Sequence, residues 1–412
     1  MALNALRSPR TIVIAEGARH SVGHHAAALG ASAILITDER CATTQGFADI
    51  LTSLTVAGVD VAVYASTQPE LPSEQVAEVA AMLGEREIVI GVGGGSCIDL
   101  AKAAAVIGAY SGTIADYYGE NRVPGPVLPI IAVPTTAGTG AEVTPVAVIS
   151  DGATGIKSGV SSPRLIPEVA LVDPELTYTC PAGLTAAVGA DALCHLVESY
   201  TAIPREQGAE AVLSKVFLGA GELTAVYGRE GLRLADAYLE RAVRDGSDVE
   251  ARGGMARAAT YGGLALGTAG TAAAHALQYP IGAVTHTPHG VGVGILLPYV
   301  MRFNRSHARA AFAELGAVLG APTDATVEQR ADHAIHRITE ILHAIGIPKT
   351  LAEIGMSETD LPAAVTAAMR SERLIHNNPR PLDEAGVQTL FSAALTGDES
   401  SLAATTTTGA PC

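Results

Sequence analysis

Over the first 110 residues, short runs of β-branched and aliphatic side chains alternate with longer Ala-rich segments. The runs at 11–15, 33–37, 59–64 and 87–92 are mostly apolar along their whole length rather than apolar on one face. The alternating rhythm builds a parallel sheet with helices on its faces. The segments between them, 18–29, 46–56 and 72–83, predict the covering helices. Pro72 suits a first helical turn, and Gly30 and Gly84 stand where C-terminal caps are expected. A further run at 129–133 predicts another central strand.

From about Leu184 the pattern changes to long amphipathic segments, 184–202, 207–226, 332–345 and 384–395, with few strand-like runs. The expected organisation is therefore an α/β domain over 1–183 and an all-α helical domain over 184–399, divided at the turn Pro181-Ala182-Gly183. The tail 400–412 has no periodicity and is expected to be mobile. Between Ala258 and Met301 there is no Asp, Glu, Lys or Arg, yet three prolines, three histidines and repeated glycines interrupt the stretch. A lipid-facing helix would leave those polar groups unsatisfied, so a buried, polar-lined segment is expected, and no membrane association.

A chain of 412 residues with 48% hydrophobic and 17% charged positions is globular, which excludes a disordered tail protein. Its formal charge of −16 excludes polyanion partners such as nucleic acid. The five cysteines, Cys41, Cys97, Cys180, Cys194 and Cys412, are scattered without a CxxC pair, which fits a reducing compartment better than a disulfide framework. The apolar run after Arg10 is too short for the core of an export signal, so a cytoplasmic location is expected.

Three features of the first half carry candidate chemistry. In 87–102 a strand runs into Gly93, Gly94, Gly95 and Ser96 and then a helix. Glycines there let backbone N–H groups approach a phosphate or pyrophosphate closely, with the positive end of the helix behind them; such a turn also occurs without a ligand. Asp38 ends the second strand, where a carboxylate can bind ribose hydroxyls and repel a 2′-phosphate, or simply cap a helix. Although the turn matches neither the usual dinucleotide fingerprint nor a P-loop, with Asp38 as a ribose acceptor the pair would point to NAD rather than NADP in a Rossmann-like α/β domain. The small-residue loop 134–140, which holds Thr135, Thr136, Gly138 and Thr139, suits phosphate or nicotinamide ribose contacts or an ordinary polar turn.

In the helical half, Asp191 and His195 are four apart on one helix face, and His275 and His289 are fourteen apart with turn-forming residues between them. An Asp/His pair at this spacing is common on surfaces. Histidines inside an uncharged region must however be satisfied by something, and one carboxylate with three imidazoles makes a four-ligand site for Fe²⁺, with Zn²⁺ as the other candidate. His286, three residues before His289, could reach the same cleft.

Taken together these segments resemble the iron-containing (group III) alcohol dehydrogenase family, with its dehydroquinate-synthase-like architecture. The resemblance rests on Gly93-Gly-Gly-Ser-Cys-Ile-Asp99-Leu-Ala-Lys102, on Pro134 to Glu142, and on Val172 to Leu176. It continues through Gly189-Ala-Asp191-Ala-Leu-Cys-His195-Leu-Val-Glu198-Ser-Tyr200, His275, Pro288-His289-Gly290 and Asn378-Pro379-Arg380. It implies that Asp191, His195, His275 and His289 hold the metal, that Gly93 to Ser96 and Asp99 belong to the pyrophosphate turn, and that Asp38 holds the ribose. Thr135, Thr136 and Thr139, in the loop with Gly138, would hold the nicotinamide end, and Lys157 matches a family lysine near the cofactor. Many members carry a second histidine four residues after the third ligand; here that position is Tyr279. Tyr279 or His286 would then relay the proton.

The implied activity is hydride transfer between NAD(H) and a small alcohol/aldehyde or hydroxy-acid/oxo-acid pair, in a homodimer by base rate. The HxxxYP pattern also resembles the hydroxyacid-oxoacid transhydrogenase branch, in which the nicotinamide stays bound. A dehydroquinate-synthase-like lyase would need a basic cluster for a substrate phosphate; with four lysines in the chain it is disfavoured, as is a non-catalytic nucleotide-binding protein with all four ligands present.

Overall fold

The computed structural model describes residues 3–151, 157–205 and 208–402. Packing divides them into two compact units, one of residues 1–200 with 204–270 and one of residues 201–203 with 271 onward. The change from strands to helices falls earlier, at the helix Ala182–Thr201. Most of the expected mobile tail, 403–412, lies outside the described residues.

The first unit is built on a six-stranded, wholly parallel sheet. Its strands are β1 (Thr11–Ile14), β2 (Ser32–Ile36), β3 (Asp60–Tyr64) and β4 (Ile88–Gly93). After β5 (Gly119–Glu120) come β6 (Ile130–Pro134), β7 (Val146–Ser150), β8 (Lys157–Ser161) and β9 (Val169–Val172). The order in the large sheet is β1-β9-β6-β4-β2-β3, and β5, β8 and β7 form a small second sheet. In β2, Ile34 and Ile36 enter one core with Val76, Val79 and Leu100, while Ala33 and Leu35 enter the other with Val22, Ile50 and Leu54. Such two-sided burial holds for the inner strands β2, β4, β6 and β9, which therefore read as continuous apolar runs, whereas the edge strands β1 and β3 are mostly half-buried or exposed.

The helices Gln45–Val56, Glu74–Leu83 and Gly95–Ala109 fall where the sequence pattern puts them. The expected helix 18–29 is instead a 3-10 turn, Ala18–Ser21, followed by a short helix, Val22–Ala27. The helix expected from Pro72 begins at Glu74, because Pro72 bridges to Ser150 of β7. Gly84 caps that helix with φ +57°.

Helices Ala182–Thr201, Glu222–Arg244 and Val249–Ala269 complete the first unit. The helix expected over 207–226 is absent among the described residues. One turn, Ala211–Ser214, gives way to extended chain, and the long helix starts only at Glu222. Long-range partners account for the break. The Arg7 guanidinium donates to the carbonyls of Val212, Lys215 and Val216 at 2.6–2.9 Å, and Glu120 accepts from Val216 N–H. Both take backbone groups that a helix would have used for itself.

The second unit is helical among its described residues: Ala273–Thr285, His289–Asn304, Arg309–Val318, Val327–Ala344, Leu361–Met369, Glu372–Ile375 and Glu384–Thr396. The uncharged stretch becomes buried helix, and no helix is long and apolar enough to cross a membrane among the described residues. The Asn378-Pro379-Arg380 segment is a tie. Asn304 and Asn378 exchange amide hydrogen bonds at 2.7 Å, and the Arg380 guanidinium lies 3.8 Å over the Phe303 ring.

Candidate active site

The glycine turn sits at the carboxyl end of β4, between β2 and β6, where a doubly wound sheet opens a crevice for ligands. Gly93 has φ +152°, and a Cβ there would lie 2.4 Å from Cys97 Sγ, so only glycine fits. A Cβ on Gly95 would lie 2.7 Å from Thr139 Cγ2, and one on Gly94 3.5 Å from Thr136 Oγ1. The turn and the threonine loop therefore lie side by side, joined by the bond from Thr135 N–H to Gly93 O at 3.0 Å. The first N–H groups of the helix Gly95–Ala109 have no helical acceptor by construction, and they open at this turn.

Asp38 leaves β2 beside this turn. Its Oδ1 accepts from Cys41 N–H at 2.8 Å, capping the short helix Glu39–Ala42, so the cap expected of a solvated acid is made. Its Oδ2 faces Cys97 Sγ at 3.6 Å. Next to it a cavity of about 260 Å³ is lined by Arg40, Cys41, Thr44, Thr135, Leu176 and Thr179 among others. The Thr135 hydroxyl, buried on this wall, has no hydrogen-bond partner among the described residues. The sequence carries no local signal for this cavity. Leu176 falls in the Val172 to Leu176 motif, but nothing local marks it as lining a pocket.

Asp99, in the glycine motif, turns into the protein. Its Oδ2 accepts from Val148 N–H at 3.0 Å, and its Oδ1 lies 3.9 Å from Lys102 Nζ. Lys102 is fully buried and donates to Thr144 Oγ1 at 3.0 Å and to Val146 O at 2.7 Å. Burial pushes the Asp99 carboxyl up to about 6 and the Lys102 ammonium down to about 8, each opposed by the other's charge. Burial also raises Glu142, whose Oε1 accepts from Thr260 Oγ1 at 2.9 Å. This buried trio fastens β7 and the segment after the threonine loop to the helix behind the glycine turn. Lys157 opens β8 and is ion-paired with Glu70, whose φ of +66° is unusual for a side chain of that size.

Asp191 and His195 lie on the helix Ala182–Thr201, both buried, with Oδ1 and Nε2 3.5 Å apart. Two ligands each about 2.1 Å from one tetrahedral ion stand about 3.4 Å apart, so the pair fits a shared divalent ion. Cys194 and Glu198 share this helical face and are also buried; the i, i+3, i+4, i+7 spacing was the available signal. The neighbouring helix approaches without side chains: a Cβ on Gly262 would lie 3.5 Å from His195 Cβ.

In the second unit His275 is buried two residues into the helix Ala273–Thr285, and His289 opens the helix His289–Asn304. The hairpin between these helices brings the two rings to 5.4 Å between centroids. Tyr279, one turn after His275, stacks on His289 at 6.2 Å with planes 27° apart. His286 is placed differently. It is exposed, with φ +55°, and caps the helix Ala273–Thr285 through its own N–H to Gly282 O.

Residues 9–174 match the family described as iron-containing alcohol dehydrogenase, and residues 185–395 match the C-terminal region of the Fe-containing alcohol dehydrogenase family. The chain is 36% identical to long-chain-alcohol dehydrogenase 1 of Geobacillus thermodenitrificans, over 90% of this chain and 91% of that protein. It is 34% identical to the NAD-dependent methanol dehydrogenase of Bacillus methanolicus, over 90% and 94% respectively. Among solved structures it is similar to a 1,3-propanediol oxidoreductase, with TM-score 0.89 and 31% identity over 95% of this chain and all of the other.

Proposed function

The chain belongs to the iron-containing alcohol dehydrogenase family, and from that premise we propose how its own residues divide the work of an NAD-dependent alcohol dehydrogenase. The observation that carries the reading is the crevice at the carboxyl ends of β2, β4 and β6, where the glycine turn, Asp38 and the threonine loop meet. Gly93, Gly94, Gly95 and Ser96 hold the pyrophosphate by backbone N–H groups. Asp38 accepts from the adenosine ribose, and adenine enters the cavity lined by Arg40, Leu176 and Thr179. Thr135, Thr136 and Thr139, with Gly138 allowing the loop its close packing, orient the nicotinamide end, and Lys157 adds a cation near the phosphates. Asp99 supports the turn from behind.

Asp191, His195, His275 and His289 would hold the iron; a carboxylate and three imidazoles suit divalent iron or zinc equally. When bound, the ion supplies a Lewis acid for the substrate oxygen. Nicotinamide, when bound, would supply the hydride acceptor for the alcohol carbon, and Tyr279 would carry the hydroxyl proton outward. Its stacking on His289 supports Tyr279 over His286, which lies on an exposed cap. Residues 1–183 thus serve the nucleotide and 184–399 the metal. The substrates are small alcohols and aldehydes, and the enzyme works as a cytoplasmic homodimer.

The test is the absorption and fluorescence spectrum of freshly purified protein, with its iron content, before and after an alcohol or aldehyde is added without NAD. The chain has no Trp, so bound NADH is directly visible. Turnover only with added NAD(H) supports the dehydrogenase. A nicotinamide that cycles without leaving would favour the transhydrogenase reading. Replacing His275 by Ala is expected to remove iron and activity while NADH still binds; full activity in iron-free variant protein would overturn the ligand assignment.

A further inference from the structure

We propose that the thiol of Cys97 is a positioning group for the Asp38 carboxylate, and that through it Cys97 sets the affinity and selectivity for the dinucleotide ribose. The inference rests on the reading of Asp38 as the ribose acceptor. It begins with register. β2 and β4 are neighbours, with Ile36 opposite Gly91, so Asp38 and Gly93 leave the sheet side by side. The helix after the glycine turn then brings Cys97 back over this edge, and its Sγ stands 3.6 Å from Asp38 Oδ2. Sulfur is large, and 3.6 Å is hydrogen-bond distance for a thiol facing a carboxylate.

The space it fills exists because Gly93 has no side chain. A Cβ there would sit 2.4 Å from Cys97 Sγ, 2.7 Å from its Cβ and 3.4 Å from Asp38 Oδ2. The thiol is thus wedged between the phosphate turn and the ribose carboxylate, with 2% of the residue exposed. Burial, and after it the negative charge of Asp38, push the thiol well above its ordinary range. It therefore stays S–H at any working pH, a donor rather than a nucleophile or a repelling thiolate.

Each carboxylate oxygen then has one donor from the protein side, Cys41 N–H on Oδ1 and Cys97 S–H on Oδ2. That pins the rotation of the carboxylate plane. The lone pairs that remain point away from both donors, available to two ribose hydroxyls. A pinned negative charge also repels a 2′-phosphate more effectively than one free to rotate. Without the thiol, the carboxylate turns, ribose binding weakens and discrimination against NADPH narrows.

The experiment measures NADH and NADPH dissociation constants by nicotinamide fluorescence for the full chain and for Cys97→Ala, Cys97→Ser and Asp38→Ala, with kcat and KM for NAD. One hydrogen bond to a charged acceptor predicts NADH binding about three- to tenfold weaker in Cys97→Ala, carried by KM rather than kcat, with a smaller NADH/NADPH ratio. Cys97→Ser, which restores a donor but not the volume of sulfur, is expected within about twofold of the native chain. Equal NADH affinity in Cys97→Ala overturns the inference while leaving Asp38 its role if Asp38→Ala still loses affinity. Unchanged affinity and selectivity in Asp38→Ala overturns the ribose reading and the inference together. Should Cys97→Ala not fold, Cys97→Ser decides alone: loss of affinity as large as that expected for alanine would make the thiol a packing group.

Discussion

Tyr279 stands one turn after His275, and its ring lies along His289. A phenol held there can pass a proton outward through its hydroxyl. Tyr279→Phe is expected to lower kcat by about a hundredfold, flatten the pH profile of kcat, and leave iron content and NADH affinity in place. His286→Ala should change kcat less than about twofold; the opposite ranking of the two variants would move the relay to His286. Asp99 offers a second single-residue test. Its folded-state value of about 6 lies above its ordinary 3.8, so the folded chain binds the extra proton between those limits. Stability from this group is therefore complete below about pH 4 and declines as pH rises through 6. Asp99→Asn should remove that decline from the urea-unfolding profile, seen as the difference between variant and native chain; parallel profiles over pH 4–6 would show that Asp99 is charged in both states.

At the scale of elements, close approach of backbones does what side-chain pattern does not announce. Gly140, with φ +63°, lets the threonine loop touch the helix Val249–Ala269. A Cβ on Gly263 would lie 2.6 Å from Gly140 O and 2.6 Å from Val143 Cγ2. Both obstacles belong to the segment that carries Thr139 and Glu142, so the helix cannot shift without disturbing the site. Gly263→Val should cost about 1–3 kcal/mol, read as a lower urea midpoint, and should also raise KM for NAD. A variant of native stability would mean the helix has room to move. The break at 215–221 comes instead from side chains distant in the sequence. Its sequence carries helical periodicity, but Arg7 and Glu120, distant in the chain, take its backbone groups.

For the molecule as a whole, the proposed iron site ties stability to metal content. An ion that binds only the folded chain adds about 2.7 kcal/mol at a hundredfold excess over its dissociation constant. Chelation should accordingly lower the melting temperature by about 3 °C, while His275→Ala protein, already without iron, should not respond. An equal shift in both would place the chelator's effect elsewhere. Local repetition in the chain already marks the apolar runs of the inner strands, the three glycines of the turn, and the four-residue spacing of Asp191 and His195. Each of these is written within one element, because side-chain direction follows from helix or strand period alone. The tertiary structure decided what depends on distant segments meeting. Cys97 reaches Asp38 across 59 residues, His289 meets Tyr279 across a hairpin, and residues 215–221 give up their helix to an arginine some 200 positions earlier. Such pairings are set by how strands and helices stack, and no periodicity in one segment records which partner another will bring.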